Sequence, residues 1–275
     1  EKISTGDVSA EVYNMLCVTT DGRLGAMDMR AVNIDKLKRL GEALGLDTSG
    51  ITAERNPNGK LAACAEKTAE IYHRTTDIKG TQMIFSDIAT PTTTGKFNAY
   101  DELRRELIAR GVKPQEIAFV HEAKNDKQKQ ELFEKVQNGT IRVLIGSTQK
   151  MGAGTNAQRH LVALHHADCP WRPSDLQQRE GRIVRQGNTN KEVEIYNYVT
   201  KGTFDSYLWQ IIEGKQRFIS QIMNNTTSAR TFEDTDTVTL NAAEVKAIAM
   251  DDPLIKRKME LEIEVQRVKV LEKQY

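Results

Sequence analysis

Apolar positions in the middle of the chain follow two alternating rhythms. Gln82-Met-Ile-Phe-Ser86, Ile117 to Val120, Ile141 to Ile145, Leu161 to Leu164 and Val193 to Val199 are short, nearly continuous apolar runs of strand length. Between and before them the spacing is helical. Leu61, Cys64, Ala65, Thr68, Ile71 and Tyr72 share one face. Asn98 to Arg110 turns Tyr100, Leu103 and Leu107 inward and stops at Gly111; Asp126 to Asn138 does the same with Leu132, Phe133 and Val136 and stops at Gly139. Strands alternating with helices predict an α/β fold, a parallel sheet with helices on both faces.

The flanks are less regular. Residues 1–58 are punctuated by glycines. There Val12 to Thr20 is expected as a strand ending at an Asp21-Gly22 turn, and Ile34 to Leu46 as a helix with Leu37, Leu40 and Leu44 on a face. Asn56-Pro-Asn-Gly59 and Thr90 to Lys96 read as loops. Thr203 to Met223 predicts a long helix carrying Phe204, Leu208, Ile211, Ile212 and Ile219. Residues 224–240 are polar and rich in Thr, a predicted loop; Asp252-Pro253 then starts a charged helix that runs to the last residue, with Leu261, Val265 and Val268 suited to docking. The pattern divides the chain into a connector or insert (1–58), an α/β lobe (59–223) and a loop with a helical extension (224–275), so helical extensions flank the sheet at both ends. The start without Met and the helix that stops mid-pattern suggest a segment of a longer protein.

Composition narrows the function classes. At 39% hydrophobic and 28% charged, the chain can bury a core, and no run approaches the ~18 apolar residues of a membrane span, so no membrane partner is expected. A net charge of +1 gives no global basic field, so any nucleic-acid surface must be local. Cys17, Cys64 and Cys169 are odd in number and far apart, which fits a reducing compartment, the cytoplasm. His165, His166, Asp168 and Cys169 have the composition of metal ligands, but they follow one another along a strand, where neighbours alternate faces, and lack a second pair at zinc spacing. They read as packing residues, and no metal site is expected.

The chemistry concentrates in two stretches. Ser174-Asp-Leu-Gln-Gln-Arg-Glu-Gly-Arg-Ile-Val-Arg-Gln-Gly187 opens with an N-cap signal and carries Arg179, Arg182 and Arg185 at a spacing of three, along one side of a predicted helix. Guanidiniums so placed repel one another and suit an anion opposite; a solvated basic face also fits the spacing. Upstream, Val143-Leu-Ile-Gly-Ser-Thr-Gln-Lys-Met-Gly-Ala-Gly-Thr-Asn156 places a glycine-rich loop after a buried strand, where open parallel sheets bind ligands. Glycines 146, 152 and 154 would let the backbone approach a partner, while Thr148 and Lys150 offer a hydroxyl and a charge to a phosphate. Lys96, and His121 with Lys124, could touch nucleic-acid backbone; solvated loops fit them equally. Gly95-Lys96 is not a phosphate loop, because Thr90 and Phe97 stand where a Gly and a Ser or Thr are needed.

In this order the two stretches resemble the last two motifs of superfamily-2 helicases. The likeness is to Swi/Snf-type translocases, and among them to phage and mobile-element antirestriction helicases of the DarB type, some of which also carry a Thr-Asp-Gly-Arg like Thr20 to Arg23. The resemblance implies a RecA-like lobe, the second of two, in an ATP-dependent DNA helicase or translocase; DNA is implied ahead of RNA. It puts Arg182 and Arg185 at the γ-phosphate and Gln178 near the attacking water, facing the N-terminal RecA-like lobe of the same protein. Gly152, Gly154 and Asn156 take the nucleotide side of the loop; Thr148, Gln149 and Lys150 take the nucleic-acid side, with Lys96 and Lys124 as further backbone contacts. Arg179 is left off the phosphate as a salt-bridge or surface residue whose loss should cost little, and Trp171 becomes a packing residue under the arginine helix. ATP is the implied cofactor, with Mg2+ held mainly by the missing first lobe, so the chain alone is not expected to turn over ATP. The rival is a non-catalytic RecA-like module that scaffolds nucleic acid or protein, for which an intact Gly181-Arg182-x-x-Arg185 would have no use.

Overall fold

The computed structural model describes residues 15–43, 45–92, 95–151 and 156–223. By internal contact the chain forms two units, Arg23–Pro170 with Ser174–Thr200, and Glu1–Gly22 with Trp171–Pro173 and Lys201–Tyr275. The order of elements is α1 (Met15–Met27), α2 (Ile34–Ala43), α3 (Lys60–Arg74), β1 (Thr81–Phe85), α4 (Ala99–Ala109), β2 (Ile117–Phe119), α5 (Asp126–Gln137), β3 (Val143–Gly146), α6 (Thr148–Met151), β4 (Leu161–His166), α7 (Pro173–Glu180), β5 (Glu194–Asn197) and α8 (Phe204–Met223).

The larger unit holds a five-stranded sheet in the order β2-β3-β1-β4-β5, every pair parallel. Strand alternation sends Ile84, Ile117, Phe119, Val143 and Ile145 to one face, where Leu61, Cys64, Ala65 and Tyr72 of α3 and Tyr100, Leu103 and Leu107 of α4 cover them. Met83, Phe85, Ala118 and Leu144 go to the other, against Phe133 and Val136 of α5, Met151 and Ile183. The expected RecA-like α/β layout is present, including every inward residue named for α3 and α4. The helix ends also follow the sequence. Asn98 and Asn125 cap α4 and α5, accepting from Asp101 N and Gln128 N at 2.9 Å each. Gly111 and Gly139 leave these helices with φ of 85° and 73°.

Two expectations fail in the described residues. The strand reading of Val12 to Thr20 gives way, from Met15 on, to α1, which runs straight through Asp21-Gly22; residues 12–14 lie outside the described residues. A Cβ at Gly22 would stand 3.5 Å from Phe204 Cβ, and one at Gly25 would stand 3.3 Å from Met29 Sδ. Only Gly25 is tight, since 3.5 Å is an ordinary van der Waals contact; neither glycine makes a turn, and each costs ~1 kcal/mol in a helix. The arginine helix is also shorter than its spacing implied. α7 ends at Glu180, so only Arg179 of the three arginines is helical. Arg182 N then donates to Arg179 O at 3.1 Å and Ile183 N to Glu180 O at 3.0 Å, a tightening to i→i−3 bonds that turns Ile183 into the core.

In the smaller unit, Phe204, Tyr207, Leu208 and Ile212 form the buried side of α8. Trp171 is 47% exposed; in the arginine segment Leu176 and Ile183 are buried apolar residues. The expectations for Leu44, for Ile219 as a side chain and for 224–275 lie outside the described residues.

Candidate functional site

The carboxyl ends of β1, β3 and β4 converge. The chain leaves β1 toward β2 but leaves β4 toward β5, so the crevice between them is a topological switch point, the usual ligand position in an open parallel sheet. Three side chains just beyond the strand ends meet there: Asp87 after β1, Thr148 after β3 and Asp168 after β4. Arg179, from the last turn of α7, joins them, with no exposed surface.

Arg179 uses its whole fork. Nε donates to Thr148 Oγ1 at 2.7 Å, Nη2 to Asp87 Oδ2 at 2.7 Å and Asp168 Oδ1 at 3.0 Å, and Nη1 to the Asp168 carbonyl at 3.0 Å. Nη1 also lies 3.3 Å from His166 Nδ1. Thr148 in turn donates its hydroxyl to Asp87 Oδ2 at 2.7 Å and its amide to Oδ1 at 2.6 Å, and the Asp87 amide donates to Asp168 Oδ2 at 2.8 Å. Arg23, from α1, donates to the Cys169 carbonyl at 2.7 Å and stands 3.8 Å from Asp168 Oδ2.

These partners fix the charges. Burial pushes Asp168 up, and Arg179 beside it offsets only part of that. Burial also pushes Asp87 up, but the Arg179 charge and the Thr148 bonds outweigh it, leaving its carboxyl below the usual carboxylate value. Burial draws His165 down to about 3 and His166 to about 2, with the Lys67 charge adding to the first and the Arg179 charge to the second. Both imidazoles are therefore neutral. His165 lies 2.8 Å from the Tyr198 hydroxyl and 3.0 Å from Gln82 Oε1 and stacks on Tyr196 and Tyr198, a core position as its sequence pattern predicted. Among the described residues no three His, Cys, Asp or Glu side chains group as metal ligands.

The predicted site residues separate around this cluster. Arg182 is half-buried and Arg185 exposed. Burial, then the charge of Arg185, pulls Arg182 below the ordinary guanidinium value, so the two cations are close enough to repel. Gln178 is exposed on α7 and Asn156 is exposed at the start of the loop to β4. That loop is bound to the segment after the arginines: Gln158 Nε2 donates to Gln186 O at 3.1 Å, and Thr189 N to Arg159 O at 3.0 Å. Gln149, Lys150, Lys124 and Lys96 are exposed. Lys150 lies near His121 at the end of β2, where its charge, after burial, helps to hold that imidazole down. Gly152 and Gly154 lie outside the described residues.

Three expectations are corrected here. Thr148 does not offer its hydroxyl to a phosphate; it is buried and spends the hydroxyl on Asp87 and Arg179. Gly146 does make room for a close approach, but for Met151 Cγ, which would stand 2.7 Å from a Cβ there, rather than for a ligand. Arg179 is a salt-bridge residue, as one alternative had it, yet it is the most enclosed cation described and not a surface group. Asp87, Asp168 and Arg23 were missed as a set. The signal for the carboxylates was present, an Asp one or two residues past the carboxyl end of each of two buried strands.

Residues 67–187 match the helicase conserved C-terminal domain. The match runs from α3 through the arginine segment to Gly187. Similar proteins include Defense against restriction protein B of Escherichia phage P1, 33% identical over 89 residues (32% of this chain). The uncharacterized ATP-dependent helicase YqhH of Bacillus subtilis (strain 168) is 36% identical over 87 residues, 31% of this chain. The SWI/SNF-related matrix-associated actin-dependent regulator of chromatin subfamily A-like protein 1 of Xenopus tropicalis is 33% identical over 105 residues, 38% of this chain. These matches cover 4%, 15% and 11% of the relatives' own lengths, so the chain corresponds to a small part of each. Among the described residues no helix is long and apolar enough to cross a membrane.

Proposed function

We propose that this chain supplies the second motor lobe of an ATP-dependent DNA translocase of the Swi/Snf type, with the phage antirestriction helicases as near kin. The observation that carries the reading is the pairing of Arg182 and Arg185 beside a fully buried Arg179. Arg179 holds the segment through Asp87 and Asp168, and Arg182 lies close enough to Arg185 to feel its charge. Such a pair fits a polyanion, and ATP with Mg2+, gripped mainly by a first lobe elsewhere in a longer protein, is the fitting one. Arg182 and Arg185 stabilise charge that grows on the transferred phosphoryl group, and Gln178 faces the attacking water. The loop with Gly152, Gly154 and Asn156 lines the nucleotide side. Gln149, Lys150, Lys124 and Lys96 face the backbone of DNA, ahead of RNA, and residues 1–58 connect the two lobes.

Steady-state ATP hydrolysis by the longer protein, with saturating DNA, tests this. Arg182→Ala and Arg185→Ala should each lower turnover on the order of 10³-fold while a fluorescent ATP analogue still binds, because the first lobe holds the ground-state phosphates. Lysine should rescue poorly, lacking the planar fork. The 275-residue chain alone should release phosphate at the blank rate. Wild-type turnover in both arginine variants would show that hydrolysis does not use this pair and would instead favour a lobe that only scaffolds nucleic acid or protein.

A further inference from the structure

Thr20-Asp-Gly-Arg23 stood out in the sequence without a task. In the structure its arginine ends in the strand-end cluster. The Arg23 side chain is 8% exposed, and it reaches both the Cys169 carbonyl, at 2.7 Å, and Asp168 Oδ2, at 3.8 Å. Asp168 Oδ1 accepts from Arg179 Nη2 at 3.0 Å, and the Arg179 carbonyl accepts from the Arg182 amide at 3.1 Å. Two side chains therefore separate the N-terminal segment from the backbone that carries the arginine pair.

The charge count explains why Arg23 is needed. Asp87 and Asp168 face Arg179 and Arg23, two anions against two cations, in a place largely closed to water. Without Arg23 two carboxylates would share one guanidinium, and a buried charge left uncompensated is expelled or neutralised. Asp87, with its side chain 31% exposed and Thr148 bonded to it, can keep its charge; Asp168, at 1%, cannot. Arg179 would then lean toward Asp87 alone and turn the end of α7 with it.

We infer that Arg23 is a positioning residue: through Asp168 and Arg179 it sets the placement of Arg182 and Arg185. The inference rests on the proposed motor reading for its catalytic consequence, but not for its geometry. Two variants separate charge from shape. Arg23→Gln keeps a donor for the Cys169 carbonyl and loses the charge; Arg23→Lys keeps the charge.

In the longer protein with saturating DNA, Arg23→Gln is expected to lower kcat about tenfold while KM for ATP stays within about twofold, and Arg23→Lys to restore most of the loss. A wild-type kcat in Arg23→Gln, a loss that appears only in KM, a loss no larger than the unfolded fraction seen by thermal melting, or a Lys variant no better than Gln would each overturn the inference. Should Arg23→Gln melt before assay, Arg23→Gln/Asp168→Asn removes both charges together and takes its place; wild-type kcat there overturns it too. Arg185→Ala is the separate control, because full turnover in that variant sinks the motor reading itself. A second measurement is independent of that reading. In the 275-residue chain the guanidinium Nε–Hε resonances of Arg182 and Arg185 should move in Arg23→Gln and return in Arg23→Lys. If they stay where they are in the wild type, the coupling does not exist.

Discussion

Replacing Arg179 with Met leaves Asp87, whose backbone amide donates to Asp168 Oδ2, and Asp168 short of their shared cation. Breaking a buried pair from one side costs about 3–5 kcal/mol, because the remaining charge is stranded. Arg179→Met should lower the free energy of unfolding in urea by that amount, and the midpoint with it, whereas exposed Arg185→Met should leave that free energy within about 0.5 kcal/mol. Equal midpoints would mean that the cluster contributes nothing to stability. Spacing ranked the three arginines nearly alike, and burial is what separates them. The two buried histidines act with pH. Their folded values, about 3 and about 2, lie below the ordinary 6.5, so the unfolded chain takes up protons that the folded one refuses. Their stabilising share is complete above 6.5 and is lost as pH falls from 6.5 toward 3. At pH 5 each should cost on the order of 1–2 kcal/mol relative to pH 7. Urea unfolding of His165→Gln at the two pH values checks this; a drop as steep as in the wild type would show that His165 accepts its proton in the fold.

At the scale of elements, the parallel core was legible because each strand and helix carries its own period and stop. Gly111 and Gly139 end α4 and α5 where predicted, and Ile84, Tyr100 and Phe133 point as their spacing demands. What failed was set by contacts distant in sequence. α1 runs through Gly22 and Gly25 despite the local turn signal; a Cβ at Gly25 would crowd Met29 Sδ at 3.3 Å, and one at Gly22 would meet Phe204, a neighbour that no local window contains. The arginine segment stops being helical at Glu180 because Ile183 must enter the core beside Leu161 and Leu164. Asn188 then fixes the new path, donating from Nδ2 to Leu161 O at 2.9 Å and Ile183 O at 3.2 Å. Asn188→Ala takes the side-chain donor from the Ile183 carbonyl, while Leu161 O keeps Asn190 Nδ2 at 3.3 Å, and should cost about 1–2 kcal/mol. In the longer protein it should also lower turnover more than ATP affinity, because the bond it removes holds the backbone between Arg182 and Arg185. A stability loss with unchanged turnover would show that the segment keeps its shape without Asn188.

At the scale of the molecule, a chain with net charge +1 has to bind a polyanion locally if it binds one at all. Thr148 is consumed inside the fold, so the strand-end loops offer Gln149, Lys150, Lys124 and Lys96 as the exposed groups of the proposed surface. Lys150 lies near His121, whose imidazole is held below its ordinary value by burial and then by the Lys150 charge. Three lysines neutralise few phosphates, and each contact contributes a slope of about 0.9 in log affinity against log salt. Nothing among these groups reads a base edge, so affinity should be weak, indifferent to sequence and only shallowly dependent on salt. Labelled duplexes of several sequences, titrated at two salt concentrations, measure all three properties. Lys150→Ala and Lys124→Ala should each weaken binding uniformly across sequences and reduce the slope by about one. Gln149→Ala should weaken it without changing the slope, since an amide releases no counterion. If the lysine variants keep the wild-type slope, DNA is held elsewhere on the chain, and the strand-end loops lose their assignment while the arginine pair keeps its own.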